Sequence, residues 1–199
     1  MNSTQTVFHI KDEIRILGID DSALISDRIT IVGAFFRGGQ WLDGVLRSEV
    51  TRDGLDATDR IVSMVRHSKH LPQIRAIMLD GVTYAGFNTV DIVRLNDETG
   101  IPVIVLMRDM PDFEKIESAL SFLPDYEKRL EIIRKAGKIT SVITKDESNP
   151  VFIQCCGITP EFAARIVKIS STRSNIPEPL RVAHLIATGI VLGESRGKA

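Results

Sequence analysis

"IRILGIDDSALISDRITIVGAFFRGGQWLDGVLRSEVTRD", residues 14–53, decides how the rest of the chain is read. Residues 14–20 form a strand-like run, and residues 27–53 read as two longer strands that meet at Gly38-Gly39. A glycine doublet accepts the positive φ that a tight hairpin requires. The three runs therefore describe an antiparallel meander. Its first strand leaves the apolar pattern at two adjacent carboxylates, Asp20 and Asp21. Such a pair is either a turn or part of a metal site.

After Asp53-Gly54 the period changes to that of a helix. Residues 56–68 place Ile61, Met64, Val65 and Ser68 on one face, with Asp56 positioned to cap it. Strands and helices then alternate. A short buried strand at 76–80 precedes a helix at 87–100 closed by Gly100, and 101–108 is a second buried strand. Two amphipathic helices follow at 111–123 and 125–137, then an apolar strand at 151–157. Thr159 caps a helix at 159–171 that has Pro160 in its first position, and the last helical pattern is 178–195. Residues 171–175 read as a surface loop, and there is no repeat or low-complexity segment.

A meander followed by βα units gives an α/β fold, a mixed sheet with helices on both faces. Right-handed crossovers give spatial order 3-2-1-4-5, with strands one, four and five parallel. The order reverses between strands one and four, where open sheets bind ligands beyond their carboxyl ends. Asp20 ends the first of these strands and Asp80 the other. With neighbouring strands ~4.8 Å apart, the two carboxylates converge on one small volume.

The chain of 199 residues suits one domain spanning 1–199, and 43% hydrophobic with 26% charged residues is an ordinary globular balance. A net charge of −1 and a pI near 6.4 give no general attraction to nucleic acid or membrane, so polyanion binding needs a local patch. Cys155 and Cys156 are neighbours without a second pair, so they read as small buried hydrophobes and not as a bridge or a zinc site. A reducing, cytoplasmic setting follows. Residues 1–15 lack the apolar core of a signal peptide, and no apolar run approaches the ~18 residues of a membrane span.

Two close carboxylates resist ionising together unless a cation lies between them. A hard divalent ion with oxygen ligands removes that conflict, and Mg²⁺ held by one or two carboxylates plus substrate phosphate serves phosphoryl transfer. Asp53, at the end of the third strand, could lean over the same site. The alternative is a turn plus helix caps. Other residues have two readings each. Asn88 caps a helix or reads a base or phosphate, and "GVTYAGFN", opened by Gly81, is a ligand loop or a tight turn. His67 and His70 read as surface residues, and "DYEKRLEIIRK" as a solvated helix face.

The chain resembles endonuclease V, in the ribonuclease H-like group, and more closely an archaeal family known as domain of unknown function ninety-nine. "LGIDDS" is similar to the glycine-hydrophobe-aspartate strand, matching Asp20 to the metal position. "TRDG" resembles the arginine-glutamate-glycine motif at Asp53, "MLDG" the second aspartate motif at Asp80, and "IPVIVLMR" a strand ending in a lysine, here Arg108. "CCGIT" resembles a serine-x-glycine-x turn, and "NIPEPLRVAH" the Pro-Glu-Pro-x-Arg-x-Ala-His signature, matching His184. The resemblance implies a ribonuclease H-like fold and metal-dependent phosphodiester hydrolysis of DNA or RNA near a modified or unpaired base. Asp20, Asp80 and Asp53 would hold Mg²⁺ or Mn²⁺, and His184 would orient the water or the leaving group.

The departures are specific. "WLDGVL" matches the family's tyrosine-x-proline-glycine segment with Asp43 in place of proline, leaving Trp41 to stack on a base or to pack at the hairpin. Extra residues before "TRDG" make Glu49 a competitor for Asp53. Arg108 replaces a point charge with a planar fork. "VTYAGFNTVD" stands where endonuclease V carries a histidine-rich, basic segment. A non-catalytic nucleic-acid-binding module and a small-molecule phosphohydrolase stay open as alternatives.

Overall fold

The computed structural model describes residues 10–196. The meander forms as the alternation suggests, with β1 (Arg15–Asp21), β2 (Arg28–Arg37) and β3 (Trp41–Thr51) joined antiparallel. Then come α1 (Ala57–Arg66), β4 (Ala76–Asp80), a two-stranded hairpin of β5 (Thr83–Tyr84) and β6 (Asn88–Thr89), and α2 (Ile92–Thr99). The chain continues through β7 (Val103–Met107), α3 (Phe113–Leu120), α4 (Tyr126–Lys135), β8 (Thr140–Val142), β9 (Val151–Cys156), α5 (Pro160–Ser170) and α6 (Glu178–Leu192). Among the described residues no helix is long and apolar enough to cross a membrane.

The main sheet has seven strands in the order β3-β2-β1-β4-β7-β9-β8. Its first five follow the expected order, with β4 parallel to both β1 and β7. β9 and β8 extend it antiparallel. The sequence reading missed β8, three residues too short and too polar to carry a period. It also began the second helix too early. Asn88 and Thr89 are strand, and α2 starts after Asp91, whose carboxylate accepts from the amides of Val93 and Arg94.

Alternate residues of β1 serve opposite faces. Leu17 and Ile19 join the cluster built with Ile61 and Val65 of α1 and Leu95 of α2. Ile16 joins the opposite cluster with Ile166 of α5 and Leu180 of α6. α3 and α4 close a smaller cluster through Leu120, Leu130 and Ile133, packed against Val82 and Phe87 of the loops after β4.

Gly18 explains how α6 reaches the site. A Cβ there would lie 2.4 Å from the Pro179 carbonyl carbon, so only glycine lets the first turn of α6 cross β1. His184, one and a half turns further on, then meets Asp20, which shares Gly18's face of β1. Gly18→Ala should lower stability by about 1–3 kcal/mol, because the obstacle is backbone that cannot rotate away. Activity should fall with it as His184 withdraws. Urea denaturation and a cleavage assay on one preparation check both.

Candidate active site

Asp20 is only 5% exposed and is held from both sides. Its Oδ1 accepts from the Asp21 amide at 2.8 Å, and its Oδ2 accepts from His184 Nδ1–H at 2.9 Å. Asp80 ends the adjacent parallel strand, and its Oδ2 lies 3.5 Å from Arg108 Nη2. Tyr84, fully buried, donates its hydroxyl proton to the Ile19 carbonyl at 2.8 Å, which fixes β1 one residue before Asp20. The ring nitrogens of His184 face a carboxylate on one side and the Arg196 carbonyl, 3.2 Å away, on the other. Both partners accept, an arrangement that favours the protonated ring. The upward shift of its pKa, driven first by the hydrogen bond to Asp20, agrees.

Burial, then the charges of Asp20 and Asp80, push Asp21 up to about 6, although the Ala85 amide donates to it. Burial and then the Asp20 charge likewise raise Asp80 to about 6, partly offset by Arg108. Negative charge is thus concentrated here without full compensation. For a carboxyl raised in the folded state, the stabilisation is present below its unfolded pKa of about 4 and is lost as pH rises through 6. Metal-free protein should lose on the order of 2–4 kcal/mol from this pair between pH 4 and pH 7. Stability measured across that range, for wild type beside Asp21→Asn/Asp80→Asn, should show the decline in the wild type alone.

The structure brings Asp20, Asp80, Arg108 and His184 together, with Asp21, which the sequence left as either a turn residue or a group behind the ligands, buried beside them. The signal available in the sequence was its adjacency to Asp20, which does not by itself say where a carboxylate faces. Other expected residues have partners of their own. Asp53 sits at φ 49° in the turn after β3, and its Oδ1 accepts from the Phe87 amide at 2.9 Å. A Cβ on Gly86 would lie 2.3 Å from that oxygen, so the close approach requires glycine. Its competitor Glu49 pairs with Arg47 and faces Arg28 on the open side of the meander.

Trp41 is at the other end of the sheet and is exposed. It pairs with Arg37, which pairs with Arg15, whereas Asp20 pairs with Val32, which pairs with Arg47. Five residues of β1 therefore separate the two levels, roughly 17 Å. Asn88 is fully buried; its Oδ1 accepts from the Ala57 amide and its Nδ2 donates to Thr51 O and Asp56 Oδ1. Its amide caps α1 and is not free to read a base. Asp56, the expected cap, makes no side-chain capping bond and instead braces Thr51 and Arg60. Gly81 (φ 85°) turns the chain away after Asp80, with its N–H donated to Leu106 O.

His67 is exposed as expected, but His70 stacks on Phe35 with ring centroids 4.4 Å apart. Arg129, in the supposedly solvated helix, is 2% exposed and donates to the carbonyls of Asp53, Gly54, Phe87 and Pro124.

Among the described residues no three His, Cys, Asp or Glu side chains form a cage for a metal ion. The three-carboxylate set of Asp20, Asp53 and Asp80 is therefore not assembled as expected, because Asp53 serves the loop at Phe87. The pair Asp20 and Asp80, with Asp21 beside them, still fits a hard cation. All three offer oxygen, and two of them carry charge that burial opposes. Mg²⁺ is commonly held by one or two carboxylates together with water and substrate phosphate.

The family model described as Endonuclease dU matches residues 12–191. A UPF0215 protein of Methanosarcina barkeri is 64% identical over 192 residues, covering 96% of this chain and 98% of its own length. A crystal structure of a protein of unknown function from Archaeoglobus fulgidus superposes with TM-score 0.81 at 45% identity, covering 88% of this chain and 97% of its own. Endonuclease V of Ciona intestinalis, solved with a 24mer DNA containing an inosine followed by a ribo-adenosine, superposes with TM-score 0.58 at 16% identity, covering 90% and 86%. That last likeness is one of fold, the ribonuclease H-like arrangement of the meander and parallel strands.

Proposed function

The chain belongs to the Endonuclease dU family, and from that premise we propose that it is a metal-dependent endonuclease that hydrolyses phosphodiester bonds in DNA beside deoxyuridine. The observation that carries the reading is the convergence of Asp20 and Asp80, from strands on either side of the switch point, with His184 and Arg108 against them. The family's name supplies the base, a deaminated cytosine. The ligand of the Ciona neighbour supports nucleic acid as the partner class.

Asp20 and Asp80 would hold Mg²⁺ or Mn²⁺, which when bound supplies an activated water and stabilises charge on the phosphate oxygens. The chain's own residues do the rest. His184 keeps Asp20 in one rotamer through Nδ1–H, and its Nε2–H, once released from the Arg196 carbonyl, would be a proton source for a leaving alkoxide. Arg108 offers its planar donors to a phosphate beside Asp80. Tyr84 holds the Ile19 carbonyl and so the direction in which β1 delivers Asp20.

A binding module without cleavage is the second reading, favoured by Asp53 facing the Phe87 amide and not the pair. Labelled oligonucleotides carrying deoxyuridine, inosine or no lesion, as DNA and RNA, separate the readings when incubated with Mg²⁺ or Mn²⁺. Metal-dependent cutting beside deoxyuridine in DNA is expected. Tight binding of the same strand without cutting would replace the nuclease by the module.

A further inference from the structure

At the end of the sheet opposite Asp20, β1 begins with Arg15, five residues away and roughly 17 Å along the strand. Its guanidinium Nε is buried and has no hydrogen-bond partner among the described residues. Arg15 lines a cavity of about 280 Å³ together with Lys11, Glu13, Gln73 and Arg75. Arg75 is set in place there, its Nη1 donating to Pro72 O at 2.9 Å and Ile74 O at 3.1 Å. Three cations against one carboxylate leave the lining with a charge of +2.

A buried donor left unpaired costs about 1–3 kcal/mol, and more when its group is charged. Glu13 and Gln73 line the same cavity, yet neither reaches this nitrogen, which is left without an acceptor among the described residues. The group that fits is an oxyanion carrying two charges, and guanidinium forks match the oxygens of phosphate better than a point charge does. We propose that this cavity binds a phosphate group, at a site separate from the acidic centre. Two sources share that chemistry, a free phosphate or phosphomonoester and the backbone of a bound nucleic acid. Among the described residues the lining holds a single carboxylate and no Ser, Cys or His, so its role is to hold the phosphate and not to react with it.

The test uses metal-free protein in EDTA, so that phosphate cannot bridge to a cation at Asp20 and Asp80. Arg15→Met keeps the apolar stem and removes the charge. Inorganic phosphate titrated calorimetrically at low ionic strength should bind the wild type and bind Arg15→Met at least about tenfold more weakly. The thermal midpoint of phosphate-free Arg15→Met should equal or exceed that of wild type, since the variant removes a buried, unpaired Nε and gives up only a charge interaction with Asp43. In a second arm, a lesion-free duplex oligonucleotide is bound across a salt series. A salt slope reduced by about one in Arg15→Met would assign the site to the nucleic-acid backbone. An unchanged slope beside lost phosphate binding would assign it to a free phosphate. The proposal is overturned if the variant alters neither ligand, or if its only effect is a lower midpoint, which would make Arg15 a packing residue. Neither readout uses cleavage, so failure here leaves the nuclease reading untouched.

Discussion

Asp80→Asn should raise the thermal midpoint of the metal-free protein at pH 7.5 while removing cleavage. Asp80 is largely buried beside Asp20, and its pKa of about 6 records how far folding opposes the second charge. Replacing it by the neutral isostere relieves that repulsion, worth about 1–2 kcal/mol after the weakened contact with Arg108 is counted, or roughly 3–6 °C for a domain of this size. Cleavage should fall by at least about 10²–10³-fold. Under the proposed function the two effects share one cause, a charge placed for a cation and not for the fold. Mg²⁺ at ten times its Kd should stabilise the wild type by about 1.4 kcal/mol and the variant by almost nothing. Differential scanning fluorimetry with and without Mg²⁺ measures both shifts. A variant less stable than wild type in EDTA would mean that Asp80 is a structural acceptor for Arg108.

Arg129→Met is expected to have the largest effect on stability. The guanidinium is buried, joins no ion pair among the described residues, and satisfies four carbonyls on three segments. Those segments are the turn at Asp53-Gly54, the loop at Phe87 and the start of α4. Methionine fills much of the space but leaves every one of those oxygens without a donor. Even with partial relaxation the loss should reach about 3–5 kcal/mol in urea denaturation. Arg129→Lys should recover part of it, because an ammonium has three donors and cannot span all four carbonyls. A loss below about 1 kcal/mol would show that water replaces the guanidinium.

The parts of the fold legible in the sequence were those where local pattern and long-range packing agree. The meander was readable because two-residue alternation and the Gly38-Gly39 turn specify the same register. Asp20 and Asp80 were expected to converge because their strands flank the switch point, whereas Arg108 and His184 were tied to them only by the family resemblance. What escaped was decided by contacts between segments far apart. Arg129 looks like any cation on an amphipathic helix until the carbonyls of residues 53, 54 and 87 surround it. Asn88 is read as a candidate cap of the helix that follows it, whereas the helix it caps is α1, 31 residues earlier. Trp41 shows the same limit, because a motif match carries no information on which end of a hairpin faces the centre. The extra residue at Asp43, bulged between Phe35 and Phe36 and paired with Arg37, gave no signal of its own.

The claim on which the account rests is that Asp20 and Asp80 form a cation-dependent cutting centre. Single-turnover cleavage of a deoxyuridine-containing DNA strand tests it most directly, with wild type, Asp20→Asn and Asp80→Asn each in Mn²⁺ and in EDTA. The account predicts a product band for the wild type in Mn²⁺ alone, lost in both variants. Cleavage that survives EDTA, or that persists in Asp80→Asn at the wild-type rate, would contradict it.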